Sequence, residues 1–325
     1  MDRWIGKVAL VTGASAGIGA AIAEELARKG MRVIGLARRI EKLEEMKEKL
    51  GRIKGELVPW KGDISKQEEI SRTFQWIKHK FGTIHVLVNN AGIARHEMLI
   101  DGKIEHFREV LDVNVLGLTL CTQFAYKLMK ETGVYNGQII NINSTAGSQI
   151  PQPNVPKFNI YGASKYAAIN ALGETLRQEL RHLKSKIRVT KLSILQAEHK
   201  YPSDLILVED FTLNRNTQER NAFVFAILNR MDKGDFKRGS PKESSRQTFR
   251  SKSGRKTISP GMVEIDWWDT CLTAETAEAR EEPRKKPTST LLKPKDIADS
   301  VLYVLSTPPH VQIHELTIKA IGELF

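Results

Sequence analysis

The chain has 325 residues, of which 41% are hydrophobic and 27% charged, with a net charge of +12. That length can bury a sizeable core as one large α/β domain or two small ones, and the composition is ordinary for a globular chain. Two cysteines, Cys121 and Cys271, lie far apart without ligand spacing, which argues against a disulfide framework or a metal site and makes a reducing compartment, the cytoplasm, the expected location. No apolar run is long enough to span a bilayer, and Met1-Asp-Arg-Trp-Ile-Gly leads directly into a strand-like segment with no signal-peptide pattern.

Lys7-Val-Ala-Leu-Val-Thr12 is a short apolar run of the kind that forms a buried parallel strand. It enters Gly13-Ala-Ser15-Ala-Gly17-Ile18-Gly19, and Ala20 to Lys29 then has helical composition. Glycines between a strand and a helix allow a tight turn and let the backbone approach a pyrophosphate, which the helix N-terminus meets with N–H groups and its positive dipole end. The next strand, Arg32 to Ala37, is followed at once by Arg38-Arg39. An acidic residue there would bond the 2′-hydroxyl of NAD, whereas arginine suits the 2′-phosphate of NADP. The predicted cofactor is therefore NADP(H).

Strand and helix patterns keep alternating. Glu56 to Trp60 reads as a strand and leads to Gly62-Asp63-Ile64, and Lys66 to Lys80 is helical with Ile70, Phe74 and Ile77 on one face. Ile84 to Val88 is the fourth strand and ends at Asn89-Asn90-Ala91-Gly92, small residues against which a flat ring can lie. Helical segments follow around Ile104 to Leu111 and Asn114 to Lys130. The alternation predicts an α/β, Rossmann-type, doubly wound parallel sheet with helices on both faces.

The chemistry is expected further along. A β-rich run, Gln138 to Asn143, ends at Ser144-Thr-Ala-Gly147, which places a hydroxyl at a strand's carboxyl end. In Tyr161-Gly-Ala-Ser-Lys165 the phenol and the ammonium lie four residues apart on one helix face. A cation beside a phenol stabilises the phenolate, so the pair suits a general acid/base acting on an alcohol or carbonyl. Tyr126 and Lys130 have the same spacing but no such company, and read as a solvated helix face.

With these residues in place the chain resembles a short-chain dehydrogenase/reductase of the NADP-dependent kind, over residues 5 to about 190 and 257 to 325. The resemblance assigns Gly13, Ser15, Gly17, Ile18 and Gly19 to the cofactor loop, Asp63 with Ile64 to the adenine, and Asn90, Ala91 and Gly92 to the cofactor-supporting element. It implies that Ser144, Tyr161 and Lys165 are catalytic, that Asn114 holds a proton-relay water, and that Pro260-Gly261 borders the cofactor. Threonine often stands four residues beyond that glycine, where it bonds the nicotinamide carboxamide; here the position is Ile265, which cannot. The implied substrate is a small apolar alcohol or carbonyl, isoprenoid or steroid-like, and the implied assembly is a homo-oligomer. The alternative is a catalytically impaired nucleotide-binding or regulatory protein of the same fold.

That alternative arises from a departure. After Ile187-Arg-Val-Thr190 the family's strand runs on into Ser-Pro-Gly, but here Thr257-Ile-Ser-Pro260-Gly261 arrives only after 66 residues, Lys191 to Lys256. The expected organisation is one dehydrogenase domain, 1–190 and 257–325, split in its sixth strand by a poorly ordered insert, 191–256. A basic interaction module and translated non-coding sequence are the other readings. Its second half, Arg230 to Lys256, holds ten Lys or Arg against three Asp or Glu. Much of the chain's basicity is thus the insert's and forms no stripe along a helix, so no nucleic-acid partner is expected. The substrate pocket is expected between Ile93 to Glu97, the proline-stiffened Gly147 to Ile160, and Met262 to Thr290 with Trp267-Trp268.

Overall fold

The computed structural model describes residues 1–95, 97–147, 159–194 and 292–320. Seven strands are present among them: β1 (Val8–Thr12), β2 (Arg32–Ala37), β3 (Glu56–Lys61), β4 (Val86–Asn89), β5 (Gln138–Ser144), β6 (Arg188–Ile194) and β7 (Glu315–Ile318). They form one sheet in the order β3-β2-β1-β4-β5-β6-β7, parallel at every pairing. The order reverses between β1 and β4, which opens a crevice beyond their carboxyl ends.

The helices are α1 (Gly17–Arg28), α2 (Ile40–Leu50), α3 (Gln67–Phe81), α4 (Ile104–Leu111), α5 (Leu118–Glu131), α6 (Asn159–Lys165), α7 (Leu172–His182) and α8 (Pro294–Ser306). Successive strand residues point to opposite faces, and both faces are apolar. Ala9, Val11, Val33, Val88, Ile140 and Ile142 pack with Ile22 and Leu26 of α1 and Val301 and Leu305 of α8. Leu10, Ile34, Leu87, Ile139 and Val189 pack on the other face with Ile70, Phe74 and Ile77 of α3 and Cys121 and Leu128 of α5. The expected stripe on α3 is thus its buried face. Burial pushes the Cys121 thiol up to about 12, which leaves it unreactive.

Two helices contain a wide turn. A π turn over Asp112–Gly117 joins α4 to α5 and carries Asn114. A second, over Tyr166–Ala171, joins α6 to α7 directly after Lys165. Such turns recur at functional sites, because they re-aim side chains and loosen the backbone ladder.

The first residues meet the end of α8. Arg3 Nη2 and Trp4 Nε1 both donate to the Leu305 carbonyl at 2.8 Å, at the end of α8. Arg188 Nη1 donates to Thr307 Oγ1 (3.1 Å) and the Val311 carbonyl (2.9 Å) just beyond that end. Burial among these neutral acceptors, with Arg3 nearby, holds the Arg188 guanidinium down at about 10.

One boundary differs from the sequence expectation. The sixth strand does not stop at Thr190: Lys191–Ile194 continue it, paired with Asn141–Ser144 and Glu315–Ile318. Leu192 and Ile194 are core residues, while Lys191 and Ser193 face the opposite side. The boundary after Thr190 comes from the point where Thr257-Ile-Ser-Pro-Gly261 resumes the strand; the alternation through Leu192 and Ile194 is the stronger signal. The added segment thus leaves from the strand's carboxyl end. Its residues from 195 onward, Pro260, Gly261, Ile265, Trp267-Trp268 and most of the proline-rich lip lie outside the described residues.

Candidate active site

A groove of about 290 Å³ lies in the crevice at the β1/β4 reversal. Its wall includes Gly13, Ser15, Gly17, Ile18, Gly19, Arg38, Arg39, Asp63, Ile64, Asn90, Ala91, Gly92, Tyr161 and Lys165, so every described residue expected to hold the cofactor lies along it.

The glycine turn is shaped by close approach. Gly13 has φ +67°, and a Cβ there would come within 2.8 Å of the Ala91 Cα. A Cβ on Gly19 would collide with the Asn90 side chain and the Gly13 carbonyl. The turn and the β4 end are tied together by Thr12, which the sequence places at the start of the cofactor loop without assigning it this contact. Its Oγ1 accepts from the N–H groups of Asn90 and Ala91, both at 3.1 Å, and Asn90 Nδ2 donates to the Thr12 carbonyl at 3.0 Å. Such a preformed floor leaves backbone and α1 N–H groups to face a ligand.

At the groove's outer end, Arg39 Nη2 donates to Ser15 Oγ at 3.3 Å, and Arg38 lies beside it on the wall. Arg38 and Arg39 are both exposed, and Asp63 accepts from Ser65 N (2.9 Å) and Oγ (2.8 Å). The end of the groove is cationic and suits a phosphate.

The inner end holds Tyr161 and Lys165. Tyr161 is 6% exposed and Lys165 7%. Lys165 Nζ lies 5.8 Å from the centre of the Tyr161 ring and donates to the Ile142 carbonyl at 3.2 Å. Burial lowers the Lys165 ammonium to about 8. A Cβ on Gly92 would come 3.3 Å from Lys165 Nζ and 3.4 Å from Asn114 Oδ1, so those three residues converge. By contrast, Tyr126 is half-buried against the core with Lys130 exposed, away from the groove.

Asn114 and Ser144 stand behind this wall. Asn114 Oδ1 accepts from the Ile93 N–H and its Nδ2 donates to the Ile93 carbonyl, both at 2.8 Å. Nδ2 also donates to Ser164 Oγ (3.0 Å), which in turn donates to the Tyr161 carbonyl (2.7 Å). Both amide N–H groups of Asn114 are therefore used on protein, and its side chain ties Ile93 to Ser164 of the helix that carries Tyr161. Ser164 was missed from the sequence, although it sits inside the Tyr161–Lys165 motif. Ser144 is buried at the end of β5, next to Asn143 on the groove wall. Its Oγ accepts from the Ala146 N–H at 3.2 Å, which leaves the hydroxyl proton as the part that can be donated.

This arrangement, a groove along a glycine turn that ends at a buried tyrosine and lysine, is that of a nucleotide-dependent oxidoreductase on a doubly wound sheet. The short chain dehydrogenase family profile matches residues 7–195, and the chain belongs to that family. Farnesol dehydrogenase of Aedes aegypti is 39% identical over 327 aligned positions, covering 100% of both chains. Dehydrogenase/reductase SDR family member 11 of Gallus gallus is 37% identical and covers 98% of both. Among solved structures, an alcohol dehydrogenase from the archaeon Thermococcus sibiricus, complexed with 5-hydroxy-NADP, is 23% identical with a TM-score of 0.63, covering 98% of each chain. A serine dehydrogenase complexed with NADP+ is also 23% identical, with a TM-score of 0.66, covering 98% of this chain and 96% of its own. Among the described residues no helix is long and apolar enough to cross a membrane.

Proposed function

We propose that the protein interconverts an alcohol and a carbonyl on a small apolar substrate, isoprenoid or steroid-like, with NADP(H). The observation that carries the reading is the single groove that runs from Arg38 and Arg39 to Tyr161 and Lys165. The residues present fit NADP(H): the glycine turn and the start of α1 lie along the groove with backbone N–H groups that suit a pyrophosphate, and the arginines suit a 2′-phosphate. When bound, the cofactor supplies or accepts the hydride.

The chain's own groups handle the oxygen and its proton. Ser144 donates a hydrogen bond to the substrate oxygen and keeps its proton. Tyr161 gives up or takes the proton at that oxygen, and charged Lys165 favours the phenolate. Asn114 keeps Ile93 and, through Ser164, the Tyr161 backbone in register. Support for an isoprenoid substrate comes from the name of the Aedes aegypti relative. Leu116 and Tyr166, exposed on the two π turns, support a homo-oligomer built on those helices, and the reduced, buried Cys121 supports a cytoplasmic location. We also read the described residues as one dehydrogenase domain that the added segment interrupts after β6.

The test is a panel of farnesol-like, steroid and short-chain alcohols and carbonyls, followed by the absorbance of reduced nicotinamide with each cofactor. Turnover of an apolar member with NADP(H), at least tenfold better than with NAD(H), is the expected result. Equal use of both cofactors overturns the cofactor assignment, and no turnover with either leaves the nucleotide-binding alternative.

A further inference from the structure

The helix that carries Tyr161 and Lys165 does more than present them. Its π turn carries Asn170, whose side chain reaches in two directions. Nδ2 donates to the carbonyl of Gly147, the last residue of the turn that follows Ser144. Oδ1 accepts from Lys191 Nζ at 2.7 Å, and Lys191 is held by Glu315 Oε2 at 2.9 Å. The chain of contacts therefore runs from β7, through β6 and the catalytic helix, to the turn behind the Ser144 hydroxyl.

Its polarity is fixed by chemistry. An ammonium can only donate, so the Asn170 oxygen must face Lys191 and the amide N–H groups must face the carbonyl. The cation also polarises the amide and strengthens the bond that its N–H makes. On the other side, Ser144 Oγ accepts from Ala146 N–H in the same turn, so a shift of the turn moves the hydroxyl. None of Asn170, Lys191 and Glu315 lines the groove.

We propose that Asn170 is a positioning residue for the Ser144 turn, oriented by the Lys191–Glu315 pair. This rests on the reading of Ser144 as the donor to the substrate oxygen. Positioning errors of about an ångström cost on the order of a hundredfold in rate, and the loss of one tether among several should cost less.

The test compares Asn170→Asp, Asn170→Leu and Lys191→Met in the full chain. Aspartate still accepts from Lys191 but presents only an acceptor to the Gly147 carbonyl. A merely structural anchor for Lys191 would survive that change; a tether for the turn would not. The expected result is a fall in kcat of roughly tenfold for both Asn170 variants. KM and the NADPH dissociation constant, read by cofactor fluorescence, stay within about twofold. Amide hydrogen exchange over residues 144–147 should quicken in both, and Lys191→Met should add nothing to Asn170→Leu. Unchanged exchange over that turn in Asn170→Asp overturns the inference, as does full kcat in that variant. If the parent protein turns over no substrate, the proposed function falls, and the exchange measurement alone decides on Asn170.

Discussion

The sheet's two halves are built to different rules. In the β3-β2-β1 half the strand interiors are almost wholly apolar, and Thr12 is their one buried polar side chain among the described residues. The groove there is shaped by backbone, through Gly13 and Gly19, which let the turn close against Ala91 and Asn90. In the β4-to-β7 half, Asn89, Asn141, Lys191 and Glu315 stand opposite one another in a single row across four strands. Asn89 Nδ2 donates to both Asn141 Oδ1 and Thr122 Oγ1 at 2.9 Å. The three buried side-chain atoms without a hydrogen bond among the described residues, Asn89 Oδ1, Gln138 Oε1 and Asn143 Oδ1, all lie in β4 and β5. One half thus rests on close backbone packing, and the other carries buried polar groups whose burial lowers stability.

The sharpest way to break this contrast is at the acid/base pair. Tyr161→Phe should lower turnover by roughly a hundred- to ten-thousandfold, the usual contribution of a general acid/base, with NADPH binding retained. Tyr126→Phe should change turnover little. Steady-state rates on a substrate from the panel decide, and the reverse result would move the active site.

Lys165 tests the stability side. Its folded-state value, lowered from 10.5 to about 8, means the folded protein resists carrying the charge. At pH 7 both states are charged, so the whole penalty, about 3 kcal/mol, falls on the fold. Lys165→Met should therefore be inactive yet melt higher at pH 7. Between pH 8 and 10.5 the unfolded chain holds the extra proton, the parent gains stability with rising pH, and the difference should shrink. A lower Tm for Lys165→Met at pH 7 would contradict the contrast.

A smaller effect is expected in the polar row. Asn89→Leu or Asn141→Leu alone strands a buried partner and should cost about 1–3 kcal/mol. The double variant should cost less than the sum of the two. Additive losses in chemical denaturation would show the row to be independent contacts.

The smallest effect is expected from deleting 195–256, with Ile194 joined to Thr257. The described strands and groove residues lie on either side of that cut, so Tm should stay within a few degrees and NADPH should still bind. An unfolded product would make the added segment a working part of the domain.

The first half was legible in the sequence because its signals are local. Strand, glycine turn, helix and the Arg38-Arg39 pair follow one another within a few dozen residues, and each type has a steric or charge reason to stand there. The Tyr161–Lys165 pair was legible for the same reason, being one helical turn. What escaped was long-range. Asn170 means nothing without Gly147 and Lys191, and Lys191 was mistaken for the edge of the insert because strand pairing with β7, far along the chain, is what explains it. Asn114 was found by its neighbours, but its work on Ile93 and Ser164 depends on how two π turns pack together.

The bonds from Arg3 and Trp4 to the Leu305 carbonyl join residues 302 and 301 positions apart. During synthesis, at roughly 5–20 residues per second, the first residues wait on the order of tens of seconds for their partner to be made. Over that interval the apolar underside of α1, which packs on α8 in the finished molecule, has no cover from that helix. The nascent chain is therefore an obligate late closer: its amino-terminal half displays the dinucleotide turn long before α8 arrives to seal the layer beneath it.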